Sequence, residues 1–312
     1  MGYHPTNHLR LNLFINPNYN KNKEMKKFFS YFMISMCLLG TSVVTSCGSD
    51  DDEPETLSKL PYEADAAVYE ITNFDSDIAY IELTTAGNYF INHKSFAESK
   101  PLSILVNDVE IPLAFTSNEP VTRAKKNNFW YGSYVKNSDG SYNLKDEGAT
   151  LKITSAGNGL YNLTLNDKIY EGKKLDRRAS FAKATDLCRS WRLKKVKVEV
   201  DSTGIITTHI SEEASNYTDL MAKLAKNPAI KFPTVENIEY VSFSNTYMYV
   251  VKTNTTIYHK FWKWDNNKLY LNNDEIGYDV TFEGATMKFK NSKSDDSASM
   301  TVEYEFTETL VK

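Results

Sequence analysis

From residue 61 onward, apolar residues alternate with polar ones in short runs, and the turns between runs are too short to hold a crossover. Ile78, Tyr80 and Glu82 alternate with Ala79, Ile81 and Leu83; Ala86-Gly87-Asn88 turns the chain, and Tyr89 and Ile91 resume. A period of two around a Gly-Asn turn is the pattern of a β-hairpin, because successive strand side chains face opposite sides. Phe129 to Val135 and Ser141 to Leu144 flank an Asp139-Gly140 turn, and Ala149 to Thr154 and Leu160 to Leu165 flank Gly157-Asn158-Gly159. Residues 94–127 are less regular and are punctuated by Pro101, Pro112 and Pro120. Further strands are predicted near 238–244, 246–252, 256–264, 267–272, 277–283, 285–290 and 299–307. Antiparallel neighbours need only a tight turn, whereas parallel ones need a crossover of about a dozen residues. The pattern therefore predicts an all-β, mainly antiparallel fold of up-and-down barrels or meanders.

Three stretches break the alternation. Glu171-Gly172-Lys173-Lys174-Leu175-Asp176-Arg177-Arg178 is charged and nearly free of apolar residues, so residues 171–184 are expected to link two β-domains, at 60–170 and 185–312. On the strand that follows, Trp191 and Leu193 hold odd positions but Val196, Val198 and Val200 even ones, which places a β-bulge near Lys194-Lys195. Tyr217, Leu220, Met221, Leu224 and Ala225 form one apolar stripe of a short amphipathic helix. Ser211 is expected to cap it, with Glu212 and Glu213 in its first turn and Asn227-Pro228 ending it.

Segments also recur in order. Ile78 to Thr84, followed by Tyr89, parallels Ile238 to Ser244, followed by Tyr247; Tyr131 to Tyr134 parallels Phe261 to Trp264; and Gly148 to Ile153 parallels Gly284 to Phe289. Their shared order implies a duplicated unit, the first copy carrying an insertion. Leu187-Cys188-Arg189-Ser190-Trp191-Arg192-Leu193, opening a meander, resembles the Leu-x-Gly-x-Trp-x-Leu start of lipocalin-like domains, with Arg189 in place of the glycine. The resemblance implies lipocalin-like barrels in which Trp191 closes one end, making it the costliest truncation of the second domain. It extends to residues 60–170 only through the repeat.

The start of the chain bears on location rather than fold. Met25 to Gly40 joins a positive Lys26-Lys27 to an apolar run, and small residues lead to Cys47, which is the layout of an export signal. Six Ser and Thr residues between Ser30 and Ser46 interrupt it before it reaches the roughly 18 apolar residues of a membrane span. Val44-Thr45-Ser46-Cys47 resembles the lipobox of bacterial lipoproteins, which implies lipidation at Cys47 and membrane attachment through that lipid. On this reading 1–24 precede the true start, 25–46 are the signal peptide and 47–59 are an acidic disordered tether. Gly48 to Glu55 is similar to the acidic segment of surface-exported Bacteroidetes lipoproteins, implying an outer-membrane protein facing outward, with a periplasm-facing one as the alternative. Asp201-Ser202-Thr203 and Asp296-Ser297-Ala298 resemble O-glycosylation acceptors of the same group and are expected in loops.

Composition narrows the chemistry. Residues 1–46 carry Arg10, Lys21, Lys23, Lys26 and Lys27 against Glu24, so their removal takes the formal charge from −4 to −8. So acidic a surface repels phosphate backbones, and nucleic acid is not an expected partner. Of the three cysteines, only Cys188 stays free in the mature chain, which leaves no internal disulfide. His93, His209 and His259 lack local metal-ligand spacing, and no nucleophile motif or phosphate loop is present. No metal, cofactor or enzymatic activity is expected. Flat aromatics with a polar edge suit apolar ligands or sugar rings, which makes Trp130, Tyr134, Tyr247, Trp262 and Trp264 the candidate ligand-binding residues. Trp262 and Trp264 share one strand face and are expected to be partly exposed. Two functions stay open: binding a small apolar or carbohydrate ligand, or serving as an interaction or scaffold subunit for an outer-membrane protein partner. A ligand cavity at those aromatics would favour the first, and a packed interior the second.

Overall fold

The computed structural model describes residues 62–94, 102–106, 109–116, 129–176, 183–203, 207–271 and 277–311. The expected start at 1–24, signal at 25–46, lipid site at Cys47 and tether at 47–59 lie outside the described residues. The fold is mainly antiparallel β, as the alternation predicts. In the first half, β1 (Ala67–Ile71), β2 (Ile78–Leu83), β3 (Asn88–His93), β6 (Phe129–Lys136), β7 (Tyr142–Leu144), β8 (Ala149–Gly157), β9 (Leu160–Leu165) and β10 (Lys168–Leu175) form a closed eight-stranded barrel in sequence order. The short β4 (Ser103–Val106) and β5 (Val109–Pro112) stand apart from it.

Closure depends on the stretch expected to be linker. β10 runs to Leu175 and pairs with β1 from Val68 opposite Leu175 to Ile71 opposite Gly172. Its exposed residues are mostly charged, and the buried ones are Tyr170 and Gly172. A Cβ on Gly172 would come within 2.6 Å of Leu163 Cδ1, so the closest approach of these strands allows no side chain there. With one bulky inward residue, the strand has no readable apolar alternation.

The second half begins with α1 (Ala184–Leu187) and the long β11 (Ser190–Thr203), whose register shifts between Leu193 and Lys195, at the expected bulge. β12 (Thr207–Ala214) folds back along β11, and α2 (Tyr217–Leu224) follows. Asn216, not Ser211, caps α2, its side chain accepting from the Asp219 amide at 2.9 Å. Ser211, Glu212 and Glu213 lie on β12 instead, where Ile210 is the one large apolar residue and the alternation is too thin to read. After β13 (Ile230–Lys231) come β14 (Ile238–Phe243), β15 (Met248–Thr253), β16 (Ile257–Asp265), β17 (Lys268–Leu271), β18 (Asp279–Glu283), β19 (Thr286–Ser294) and β20 (Ala298–Glu308). They form, with β11, a second eight-stranded barrel that is nearly closed. Leu269 and Tyr278 exchange both backbone hydrogen bonds between β17 and β18, and β11 meets β14 only through Ser190 opposite Ser242 and Trp191 opposite Val241. Ser202 is buried on β11 opposite Thr208 and Ala298, not in a loop, because the β11–β12–β20 sheet extends past it. Ser297 does lie in a turn, its hydroxyl donating to Asp295 at 2.8 Å.

The barrels repeat each other strand for strand. β2–β3 pairs Ile81 with Ile91 and Leu83 with Tyr89, and β14–β15 pairs Val241 with Val251 and Phe243 with Tyr249; each hairpin has its irregularity two residues into the first strand. Tyr89 therefore matches Tyr249, and Gly87 matches Tyr247. Both of the latter have positive φ, 87° and 65°. Tyr134 donates its amide to Gly87 O and its hydroxyl to Thr84 O; Trp262 donates its amide to Tyr247 O and its indole N–H to Ser244 O. Tyr134 thus matches Trp262, two residues from the match drawn in sequence, since a two-residue slip preserves alternation. The Gly148 and Gly284 segments open β8 and β19, which are one strand out of step. The described residues belong to one compact unit.

Candidate functional site

The five aromatic candidates divide between the barrels. Trp130 is half-buried against the first core, and Tyr134 is fully buried in it. Trp262 is 2% exposed, its indole N–H shared between Ser244 O at 3.2 Å and Met248 O at 3.0 Å. Tyr247 packs on it with ring centroids 4.9 Å apart, and Trp264 is half-buried against the second core. Tyr134 and Trp262 therefore pin equivalent turns and present no face to a ligand.

The interior of the second barrel is occupied by the first half's insertion. Ile104, Val106, Val109, Ile111, Leu113, Ala114 and Phe115 belong to the core cluster of the second half, and β4 pairs with β13 (Ile230 opposite Val106). Phe115 is ringed by Phe243, Tyr249, Phe289, Tyr304 and Phe306 at centroid distances from 5.4 to 6.3 Å, all edge-on. That geometry sets ring edges against ring faces, as the aromatic quadrupole favours. Above the cage, the main chain of the insertion is met by side chains. Tyr304 Oη accepts from Ala114 N at 2.9 Å, Tyr217 Oη donates to Ala114 O at 2.8 Å, Tyr258 donates to Phe115 O, and Lys260 Nζ donates to Thr116 O at 3.0 Å. Burial pushes the Tyr217 and Tyr258 hydroxyls well above their ordinary range, keeping them protonated donors. Sequence reasoning missed this group. Its signal was Leu113-Ala114-Phe115 between Pro112 and Pro120, an apolar triplet in an otherwise irregular insertion.

A second buried group joins the barrels through equivalent strands. Phe90, Phe129 and Tyr131 pack on Met248 and Val250, with Tyr240 and Phe261 beside them. Glu82, 1% exposed, accepts from Ser244 Oγ and, on its other oxygen, from the Asn245 amide at 3.2 Å and side chain at 2.9 Å. Burial raises its pKa against those hydrogen bonds, which pull the other way. Tyr131 Oη and Ser242 Oγ are 2.8 Å apart. His259 stacks on Phe129 at 4.3 Å, and burial, then the charge of His93, lowers its pKa to about 4.

A cleft lies where β11 and β14 diverge. It holds about 680 Å³ and is lined by Leu193, Ile238, Tyr240, Leu310 and Val311, with Arg192 and Glu239 at its rim. Another, of about 410 Å³, lies on the Lys and Glu ladder outside β19 and β20. Among the described residues, no group of three His, Cys, Asp or Glu side chains is placed to hold a metal ion, and no helix is long and apolar enough to cross a membrane. Known protein families, curated proteins and solved structures contain no match to this chain.

Proposed function

We propose that the chain is a membrane-anchored envelope lipoprotein that acts by binding rather than catalysis, as an interaction subunit with a protein partner at the outer membrane. The observation that carries the interaction reading is the filled second barrel. The interior, where an up-and-down barrel of this size can hold one small ligand, is taken by Phe115 and the main chain around it. Phe74, fully exposed, and Ile169, 64% exposed, offer apolar contact on the first barrel. They lie at one end of it, since Asn73 Oδ1 accepts from the Glu171 amide at 2.6 Å. Anchoring rests on the lipobox-like residues before Cys47.

The β11–β14 cleft favours a second reading, a small apolar or carbohydrate ligand, because its volume lies in the range of about 300–1,000 Å³ usual for ligand sites. Native mass spectrometry of protein taken from its own envelope separates the two. The interaction reading expects the chain with its acyl groups, alone or with a protein; a stoichiometric small molecule would overturn it. Cys47→Ser is expected to move the protein from the membrane to the soluble envelope fraction, and retention in the membrane would refute the anchor.

A further inference from the structure

We propose that the second barrel is a receptor for a main-chain turn presenting an aromatic side chain, with residues 112–116 as the ligand it holds in cis. The inference deepens the interaction reading by naming the chemistry the second half accepts. It rests on a division of labour at the site. The donors and acceptor aimed at the insertion come from separate elements of the second half: Tyr217 from α2, Tyr258 and Lys260 from β16, and Tyr304 from β20. All address backbone atoms of Ala114, Phe115 and Thr116, so they would hold any segment of that conformation. Selectivity falls to the cage of five rings, which takes one aromatic side chain. Backbone bonds for affinity and a pocket for the side chain are how proteins bind extended peptides. β13 completes the pattern by adding a strand to β4 at Leu105 and Val106.

The conformation of the ligand points the same way. Phe115 sits at φ 60°, the left-handed region that bulky non-glycine residues rarely adopt. Such strain persists only where the surroundings over-determine it, and here the surroundings belong to the other half of the chain. An apolar peptide bearing Phe before Thr, as in Leu113-Ala114-Phe115-Thr116, is the chemistry that fits.

The test uses the full chain with Phe115→Gly. Glycine accepts the left-handed φ, so the main chain and its hydrogen bonds stay while the cage empties. Toluene, the free counterpart of the phenylalanine side chain, is the probe. At tenfold its Kd it is expected to raise the variant's Tm by about 3–6 °C and to leave the wild type, whose cage is full, unmoved. No shift in the variant, or an equal shift in both proteins, would overturn the inference. Should the variant not fold, native-state hydrogen exchange on the wild type decides. The amides of residues 104–106, 109–111 and 113–116 are expected to exchange at least about tenfold faster than those of β15, β16, β19 and β20, by an opening that leaves the barrel intact. Exchange of both sets in a single event would overturn it. Toluene rescue together with a stoichiometric small molecule on the native protein would leave this inference standing and remove the interaction reading; a retained protein partner without rescue would do the reverse.

Discussion

Two tryptophans of the second barrel are expected to be equally costly to remove. Trp191 is 1% exposed, its indole N–H donating to Leu187 O at 3.0 Å, and Trp262 is 2% exposed with two carbonyl partners. The resemblance to lipocalin-like domains singles out Trp191 alone, but the structure makes Trp262 its equal. Trp→Ala at either site should cost about 3–5 kcal/mol by urea denaturation of the full chain, and Trp264→Ala distinctly less. His259 carries a pH signature. Its folded pKa of about 4 lies below the unfolded value, so the unfolded chain binds the proton first on acidification. Its contribution is therefore complete above about pH 6.5 and is lost as pH falls towards 4. His259→Phe keeps the stack on Phe129 and should flatten the fall in denaturation midpoint between pH 7 and 4.5; an unchanged fall would assign it to other groups.

At the scale of elements, the joint between β2 and the β14–β15 turn works in the opposite direction to His259. Glu82 has a raised folded pKa, so ionising it costs the folded state more than the unfolded one. Its contribution is complete below the unfolded pKa and declines as pH rises through the folded one. Glu82→Gln keeps an acceptor for Asn245 without the charge, and should narrow the stability difference between pH 5 and pH 8. Urea midpoints of the two proteins at those pH values measure it. Barrel closure is the other sensitive element. Gly172→Val would press on Leu163 and on Glu70 O, 3.3 Å from the added Cβ, and should destabilise by about 1–3 kcal/mol, with amide exchange accelerating first along β1 and β10.

On the scale of the molecule, two barrels distinct in sequence are interlocked in space. Lys173 and Lys174 are paired with Glu70 and Tyr69, so trypsin is expected to spare that site under native conditions, although its charge marks it as a linker. A cut introduced between residues 176 and 183 should leave both halves eluting together until denaturant is added. The insertion in the second barrel and the Phe90–Val250 packing hold them without the peptide bond. Separation in native buffer would contradict the interlock.

The sequence by itself determined the strands, because alternation is a local consequence of one buried and one solvated face. It determined the bulge at Leu193–Lys195 for the same reason, but of the duplicated order only the first segment, Ile78 to Leu83 with Ile238 to Phe243, falls in register. Residues whose surroundings come from far along the chain stayed illegible. β10 reads as linker because its inward positions were chosen by the closing strand, and nothing near Glu82 in the chain marks it as buried, because its donors lie more than 150 residues away. Phe115 reads as part of an irregular insertion because its cage belongs to the other barrel. Only the tertiary structure decided these, since long-range burial leaves no period in the sequence it buries.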